Sequence, residues 1–220
     1  MSGKTAIFSN LGIDTGITYE TILSTLSPCG EYNSAPMGIR SEDGSSLILR
    51  PFKATKTCSN LVATGKAVAN FTDEPSLFFI TALKQEGWND PKILTKIKGV
   101  HVPRLAMANS FLELRVVKVE EISERAVVTC SPVRGAVVNC PTKPYCRGAF
   151  AALETVIHAT RVRVFLEEGR IGEAESLVQL VHTYRDLVWR VAPNSSYSTV
   201  VERVVDLVEQ WKKEGPSEDR

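Results

Sequence analysis

Two segments of the chain combine polar side chains, proline and glycine in an order that suits a ligand with a flat ring and a phosphate. The first, Asn33 to Gly38, reads NSAPMG inside a stretch that is otherwise typical of a strand. Pro36 removes a backbone donor from the ladder, and Gly38 lets another group approach the backbone closely. Asn33 and Ser34 add polar side chains at one end. A flat ring lying against such a strand can use all of these features.

The second segment, Arg50 to Asn60, supplies cations and hydroxyls just before a predicted helix. Arg50 carries a permanent charge on a planar group that suits phosphate. Thr55 and Thr57 present hydroxyls, and a helix that begins near Thr57 offers backbone N–H groups at the positive end of its dipole. Further hydroxyl and ammonium groups come from Ser59, Lys53 and Lys56. These features predict a phosphate site.

Each of these features also has an ordinary structural explanation when it is taken alone. A Pro-Met-Gly strand can be an edge or a bulge, and an Arg-Pro pair is often only a turn. A Thr/Ser cluster before a helix is most often a cap. The succession of the two segments within one short stretch is what favours a binding site.

The sequence contains no recognisable set of catalytic side chains, so catalytic residues stay unassigned. It shows no pattern typical of a Ser-His-Asp catalytic triad, no Walker-type phosphate-binding loop and no GxGxxG motif. Cys58 falls at a predicted helix N-terminus, which would lower its pKa, but no neighbour supplies a base, so we interpret it as packing. Glu154, His158 and Arg161 fit one helix face and indicate an ion-pair network more than a polar cluster at a ligand's mouth.

Composition excludes several classes of protein. A net charge of +1 argues against a broad surface for nucleic acid or anionic membrane, and 43% hydrophobic residues are enough to build a core. No apolar run approaches the length of a membrane span, and no signal-peptide pattern is evident. The odd cysteine count, without CxxC, predicts reduced thiols in the cytoplasm, and no histidine completes a metal site. The five cysteines are Cys29, Cys58, Cys130, Cys140 and Cys146.

The first two-thirds of the chain has the pattern of short strands with hairpin turns. Residues 1 to 15 read as a loose lead-in, and residues 86–92 and 137–148 as loops. The predicted strands are 18–27, 30–40, 47–50, 67–72, 111–119 and 125–133. The predicted helices are 57–66 and 73–84.

The last third has the pattern of three helices, which we place at about 148–168, 172–191 and 197–213. The apolar stripes of the last two helices are expected to form core. Because strands and helices are segregated along the chain, the fold class is α+β, and the short strands suggest a barrel. The predicted domains are 1–145, a β-barrel, and 146–220, a helical subdomain.

Four motifs carry a resemblance to a known family: NSAPMG at Asn33–Gly38, RPF at Arg50–Phe52, TKTCSNL at Thr55–Leu61, and VANFTDEP from Val68. With the helical segment RGAFAALETVIHATR at 147–161, they resemble the FMN-binding split-barrel superfamily of flavin reductases and pyridoxamine-phosphate-oxidase-like proteins. The chain is most similar to an uncharacterised archaeal and bacterial family within it. It departs from that family's V-N-x-T-D motif, because Ala69 separates Val68 from Asn70.

The resemblance implies a split β-barrel that binds FMN non-covalently. It implies a homodimer with FMN at the subunit interface, so that the second chain contributes to each site. It places the isoalloxazine ring along Asn33, Ser34, Ala35, Pro36, Met37 and Gly38, and the phosphate near Arg50, Thr55, Thr57 and Asn60.

The expected activity is oxidoreduction, with electrons or hydride passing through the flavin and with an unassigned substrate or redox partner. The alternative is a flavin-binding or flavin-storage protein without turnover. A third possibility is a split barrel that has lost the flavin and serves as an interaction module. The presence of Arg50, Thr55, Thr57 and Asn60 argues against that third possibility.

Overall fold

The computed structural model describes residues 3–84, 94–95, 101–139 and 144–214. The chain divides into two compact units, Met1–Tyr145 and Cys146–Arg220. The predicted loop at 86–92, Cys140 and the polar residues after Glu214 lie outside the described residues.

The first unit contains eight described strands, which are β1 Thr18–Leu26, β2 Tyr32–Arg40, β3 Leu47–Leu49, β4 Lys66–Phe71, β5 Leu94–Thr95, β6 Arg104–Leu105, β7 Ser110–Ile122 and β8 Arg125–Val137. Six of them form a closed antiparallel barrel with the strand order β1-β2-β3-β8-β7-β4. A separate two-stranded sheet contains β5 and β6. The predicted α+β class and barrel are confirmed, and so is the hairpin of β1 and β2.

Alternation along the strands fills the barrel interior, because every second side chain points inward. Leu112 and Leu114, two residues apart on β7, are both buried, and β8 contributes Val128 and Cys130. Ile39 on β2 is fully buried as well. The β7–β8 hairpin is longer than predicted, with irregular pairing at Glu113/Leu114 and at Val116/Lys118.

Three helices accompany the barrel: α1 Gly3–Leu11, α2 Lys56–Thr64 and α3 Pro75–Leu83. The prediction of a loose lead-in is wrong, because α1 packs on β8 with Phe8 and Leu11 buried. The predicted helices that became α2 and α3 are confirmed. The Thr55 side chain caps α2 and the Glu74 side chain caps α3, which satisfies N–H groups that a helix start leaves without partners.

The second unit consists of α4 Arg147–Glu167, α5 Ile171–Val191 and α6 Ser196–Glu214. All three helices were predicted within about two residues at each end. Gly169, with φ 70, follows α4 in a left-handed conformation that glycine adopts without strain. The buried faces carry mainly alanine and valine, among them Ala152, Val162, Val188 and Val208. No helix within the described ranges is long and apolar enough to cross a bilayer.

Candidate functional site

Strand β2 presents one backbone edge that no described strand covers between Tyr32 and Gly38. On one side β2 pairs with β1 along its whole length. On the other side β3 pairs only with Ile39 and Arg40. The predicted ring-binding residues 33–38 therefore all lie on a strand with an open edge.

The direction of the backbone groups on this edge follows from the pairing of β1. The N–H of Glu20 donates to the carbonyl of Tyr145 at 2.8 Å, on the side of β1 away from β2. Alternate residues of a strand direct their backbone N–H and C=O groups to opposite sides. The backbone groups of Thr21 therefore point to β2, and those of its partner Met37 point to β1. The register is unbroken, so Ser34 and Pro36 direct their backbone groups to the open edge.

This parity explains how Pro36 is accommodated inside a strand. Proline has no N–H, and at a residue facing β1 it would cost a ladder hydrogen bond. At position 36 the missing N–H points to the open edge, so the β1–β2 ladder stays intact. The open edge therefore offers the C=O of half-buried Pro36, while Ser34 on the same edge is fully buried.

A buried network of amide and hydroxyl groups ties the start of α2 to β1 and β2. The Asn33 Nδ2 group donates to Thr57 Oγ1 at 3.0 Å and to Thr25 Oγ1 at 3.4 Å. Asn60 Nδ2 donates to the same Thr25 hydroxyl at 3.1 Å. Asn33, Thr57 and Asn60 are each at most 5% exposed, so the structure brings these three predicted site residues together. Buried and paired, they fix where α2 begins relative to β2.

Lys84, which sequence reasoning did not identify, reaches this network from the end of α3. Its ammonium group donates to Asn33 Oδ1 at 3.3 Å and to the backbone carbonyl of Ser34. Loss of surrounding water, and then the positive charge of Lys56, lower the pKa of Lys84. A cation is thus held at the open edge of β2, close enough to the start of α2 to interact with Lys56. Nothing in the sequence indicated it, because the position of Lys84 depends on how α3 packs against β2.

Arg50 and Thr55 lie in the connection between β3 and α2. The Arg50 side chain is exposed, and its backbone carbonyl accepts from Arg125 Nη1 at 2.8 Å. The same Arg125 guanidinium lies 3.7 Å from the ring centroid of Phe52. Thr55 caps α2 through Oγ1, which accepts from the N–H of Cys58 at 3.3 Å. The interpretation of this hydroxyl as a cap is therefore confirmed, and its contact with a phosphate stays a prediction.

Two expectations about thiols and metals can be compared with the structure. Cys58 is buried near the start of α2, and burial raises its pKa. The expected lowering is wrong, because desolvation and then the negative charge of Glu121 raise the pKa of this thiol. Within the described part of the chain, no three His, Cys, Asp or Glu side chains are grouped so that they could hold a metal ion.

The Glu154–His158 pair lies in the helical unit. His158 Nε2 is 3.7 Å from Glu154 Oε2, and the imidazole stacks on Tyr184 with ring centroids 5.7 Å apart. The Glu154–His158 contact agrees with the interpretation of these residues as part of an ion-pair network on one helix face.

Comparison with known families gives the chain its classification. The family described as "Protein of unknown function (DUF447) N-terminal domain" matches residues 19–139, which is more than half of the chain. The chain belongs to the DUF447 family. No curated protein matches the chain significantly.

Solved structures share the fold of this DUF447 protein. The FMN-bound DUF447 protein MM1853 from Methanosarcina mazei is 21% identical, with a TM-score of 0.55 over 91% of this chain and 99% of that one. A putative flavin reductase with a split barrel domain from Shewanella frigidimarina is 10% identical, with a TM-score of 0.50 over 64% of this chain and 76% of that one. The flavin reductase HpaC, complexed with NADP+, is 17% identical, with a TM-score of 0.50 over 63% and 89%. These likenesses establish the split-barrel fold and confirm the resemblance seen in the motifs.

Proposed function

We propose that this protein binds FMN non-covalently, with the isoalloxazine ring along the open edge of β2, and acts as an oxidoreductase. The observation that carries the proposal is the open edge itself, where the backbone groups of Ser34 and Pro36 lack a strand partner in the described chain. The FMN-bound state of the DUF447 relative from Methanosarcina mazei supports the same ligand.

The open edge fits the polar side of an isoalloxazine ring. That side of the ring alternates carbonyl acceptors with an N–H donor. Pro36 supplies a C=O without a competing donor, whereas the Ser34 C=O already accepts from the Lys84 ammonium. An exposed strand edge can therefore pair with the ring as it would with another strand.

The opposite end of FMN requires groups that hold a phosphate dianion. Lys84 and Lys56 supply positive charge, and the start of α2 supplies backbone N–H groups and a favourable dipole. Arg50 and Thr55 lie just before that start, while Asn33, Thr57 and Asn60 fix its position. The backbone groups of Ala35 and Met37 face β1, so these two predicted residues have no polar role in this proposal, whereas Lys84 is added to the site.

When bound, FMN supplies hydride or electron transfer, which no protein side chain can provide. The chain's part is to orient the ring against β2 and to adjust its charge. The Pro36 C=O on the open edge can accept from the ring N–H. No general acid or base in this chain is needed for the proposal.

We further propose a homodimer with FMN at the subunit interface and a cytoplasmic location. A strand edge that pairs with the polar side of the ring contacts only that side. Both faces of the ring therefore remain available to a second chain. The free Cys29, Cys58, Cys130 and Cys146 support a reducing compartment.

The first test is an absorption spectrum of the purified protein, with the released small molecule identified by mass. A yellow protein that releases FMN supports the ligand. A colourless protein that does not take up added FMN contradicts it.

The Arg50→Ala variant should weaken FMN binding at least tenfold, since a hydrogen bond to a charged group is worth about 1.5–3 kcal/mol. Arg115→Ala, at an exposed residue of β7, is the matched control.

Turnover distinguishes the enzyme from a flavin-binding or flavin-storage protein. NADPH and NADH are the donors to test first, since HpaC was solved with NADP+. Oxidation of either cofactor by the FMN-loaded protein, above the rate with free FMN, supports the oxidoreductase. Tight FMN binding with no such oxidation, and with no reduction of the bound flavin by NADPH or NADH, supports the binding protein.

A further inference from the structure

Phe52 is an exposed aromatic side chain that the proposed flavin site does not use. It ends the RPF motif in the connection between β3 and α2, and it is 46% exposed. Its backbone pairs antiparallel with Arg125, the first residue of β8. Residues directly opposite each other in such a pair project their side chains to the same face. The backbone itself therefore holds the Phe52 ring beside an arginine.

The Arg125 guanidinium covers one face of the Phe52 ring. Its central carbon lies 3.7 Å from the ring centroid, a distance that is possible only above the plane of the ring. Its Nη1 group donates to the backbone carbonyl of Arg50 at 2.8 Å, which fixes the position of the guanidinium. Aromatic rings and guanidinium planes are the surfaces on which nucleotide bases stack in proteins. The Phe52–Arg125 platform, made of these two side chains, is therefore suited to a further flat ring.

The residues around the platform carry more positive than negative charge. Residues 50–56 and 121–125 contain four cations and two carboxylates, namely Arg50, Lys53, Lys56, Arg125, Glu121 and Glu124. One carboxylate is neutralised within this group, because Lys53 Nζ lies 3.1 Å from Glu121 Oε2. The net charge of the whole chain is only +1, so the excess is local. A local excess of positive charge attracts anionic groups such as phosphates.

A stacking surface beside excess positive charge fits a nucleotide base that carries phosphate. We propose that the Phe52–Arg125 platform binds the adenylate group of a dinucleotide, which is an adenine ring with its 5′-phosphate. The adenine stacks on the platform, and its phosphate lies toward the exposed Arg50 side chain. Stacking accepts any base, and adenine is the base that the flavin and nicotinamide dinucleotides carry.

The location of the platform relative to the flavin rests on the proposed function, whereas adenylate binding does not. The proposed function places Arg50 near the FMN phosphate, and Arg125 is hydrogen-bonded to the Arg50 backbone, so the platform adjoins that end of the flavin. FAD is FMN lengthened at its phosphate by AMP, so the adenylate of FAD would reach the platform from there. NADPH carries an adenylate group as well, and the experiment separates these two sources.

The test is isothermal titration calorimetry of the full chain with FMN, FAD, NADPH and ADP. Phe52→Ala should weaken FAD and ADP binding about tenfold, which is the effect of removing one aromatic stacking partner of a base. FMN binding should not change, because FMN has no adenine. Phe52→Tyr keeps the ring and should bind all four ligands as the wild type does. Phe150→Ala, at a phenylalanine of α4 that is 54% exposed, is the matched control.

The pattern of losses identifies the ligand. A loss for FAD and ADP supports the platform with the flavin dinucleotide as the source of the adenylate. A loss for NADPH and ADP, with FAD unaffected, supports the platform with the nicotinamide dinucleotide as the source. If the wild type takes up no flavin, a loss of ADP binding in Phe52→Ala still supports the platform while the proposed function fails.

Three results would overturn the platform, and they leave the proposed function standing wherever FMN still binds. The first is a wild type that binds none of FAD, NADPH and ADP. The second is a Phe52→Ala variant that binds all three as the wild type does. The third is an equal loss for FMN and FAD in that variant, because such a loss would place Phe52 at the flavin itself.

Discussion

The backbone N–H of Leu105 donates to Asn70 Oδ1 at 2.7 Å, so a residue of β4 holds β6. The Nδ2 group of the same side chain donates to the carbonyl of Ile22 at 2.8 Å and to Ser24 Oγ at 2.9 Å, both on β1. Asn70 is fully buried. The Asn70 side-chain amide therefore joins β4 to β6 and to β1 by hydrogen bonds.

Replacing Asn70 with leucine should lower the free energy of unfolding by about 2–4 kcal/mol. Each lost hydrogen bond costs about 1 kcal/mol, and a buried N–H or C=O left without a partner costs about 1–3 kcal/mol more. Urea denaturation followed by circular dichroism measures the change. Asn10→Leu, at an exposed residue of α1, is the control. Equal stability of the two variants would show that the Asn70 bonds contribute nothing.

Replacing Lys84 with methionine should weaken FMN binding about tenfold or more while changing riboflavin binding little. Methionine keeps the apolar stem of lysine but removes the charge, and riboflavin lacks the phosphate. The measurement is a fluorescence titration of each flavin, with inorganic phosphate as a competitor. Lys66→Met, at an exposed lysine of β4, is the control.

The ratio of the two affinities separates the possible roles of Lys84. An equal loss for FMN and riboflavin would place the ammonium at the ring. No loss for either flavin would remove Lys84 from the site. If the wild type binds neither flavin, a loss of phosphate binding in Lys84→Met still identifies the anion site.

Cysteine labelling should separate exposed from buried thiols. Cys29 is exposed, whereas Cys58 and Cys130 are buried, and burial raises the pKa of Cys130 to about 12. Because the thiolate is the reactive form, iodoacetamide at pH 8 should label Cys29 much faster than Cys58 and Cys130. Peptide mass spectrometry over time gives the separate rates. Labelling of Cys58 as fast as Cys29 would restore the idea of a helix-activated thiol.

Local sequence rules were sufficient for most elements of the fold. Thr55 and Glu74 mark helix starts because their own side chains cap the chain next to them. The strand predicted at 111–119 lies within β7, where Leu112 and Leu114 are buried two residues apart. These signals depend on neighbouring residues, so they can be recognised without the tertiary structure.

The features that were missed depend on contacts between distant segments. Helix α1 has no acidic residue in its first turn and only a weak amphipathic pattern, so it is recognised by the burial of Phe8 and Leu11 on the barrel. Strands β5 and β6 have two residues each, too few for a periodic pattern. Lys84 lies 51 positions from Asn33, and only the packing of α3 brings them together.

The turn at Asp43 should make stability depend on pH in the acid range. Hydrogen bonds from the backbone N–H groups of Ser45 and Ser46, each at 2.8 Å, hold the pKa of Asp43 well below its usual range. A depressed pKa in the folded state contributes stability above the unfolded value of about 3.9, and this contribution is lost as the pH falls through the folded value.

The Asp43→Asn variant tests this dependence. The difference in free energy of unfolding between wild type and variant should be largest above about pH 5 and should shrink steadily below about pH 4. Urea denaturation at a series of pH values measures it. A difference that stays constant from pH 7 to pH 3 would mean that the Asp43 charge is not stabilised by the turn.

Two glycines at the same position of neighbouring helices should respond in opposite ways to alanine. Gly148 and Gly172 are each the second residue of their helix, α4 and α5. A Cβ at Gly148 would lie 3.1 Å from the Ala192 Cβ and 3.2 Å from Val191 Cγ2, whereas a Cβ at Gly172 would meet nothing within 4 Å. Gly148→Ala should therefore destabilise the helical unit by about 1–3 kcal/mol through overpacking. Gly172→Ala should stabilise it by up to about 1 kcal/mol, because alanine is the better helix former. Urea denaturation of both variants beside the wild type gives the two signs, and a Gly148→Ala variant as stable as Gly172→Ala would show that the start of α4 is loosely packed.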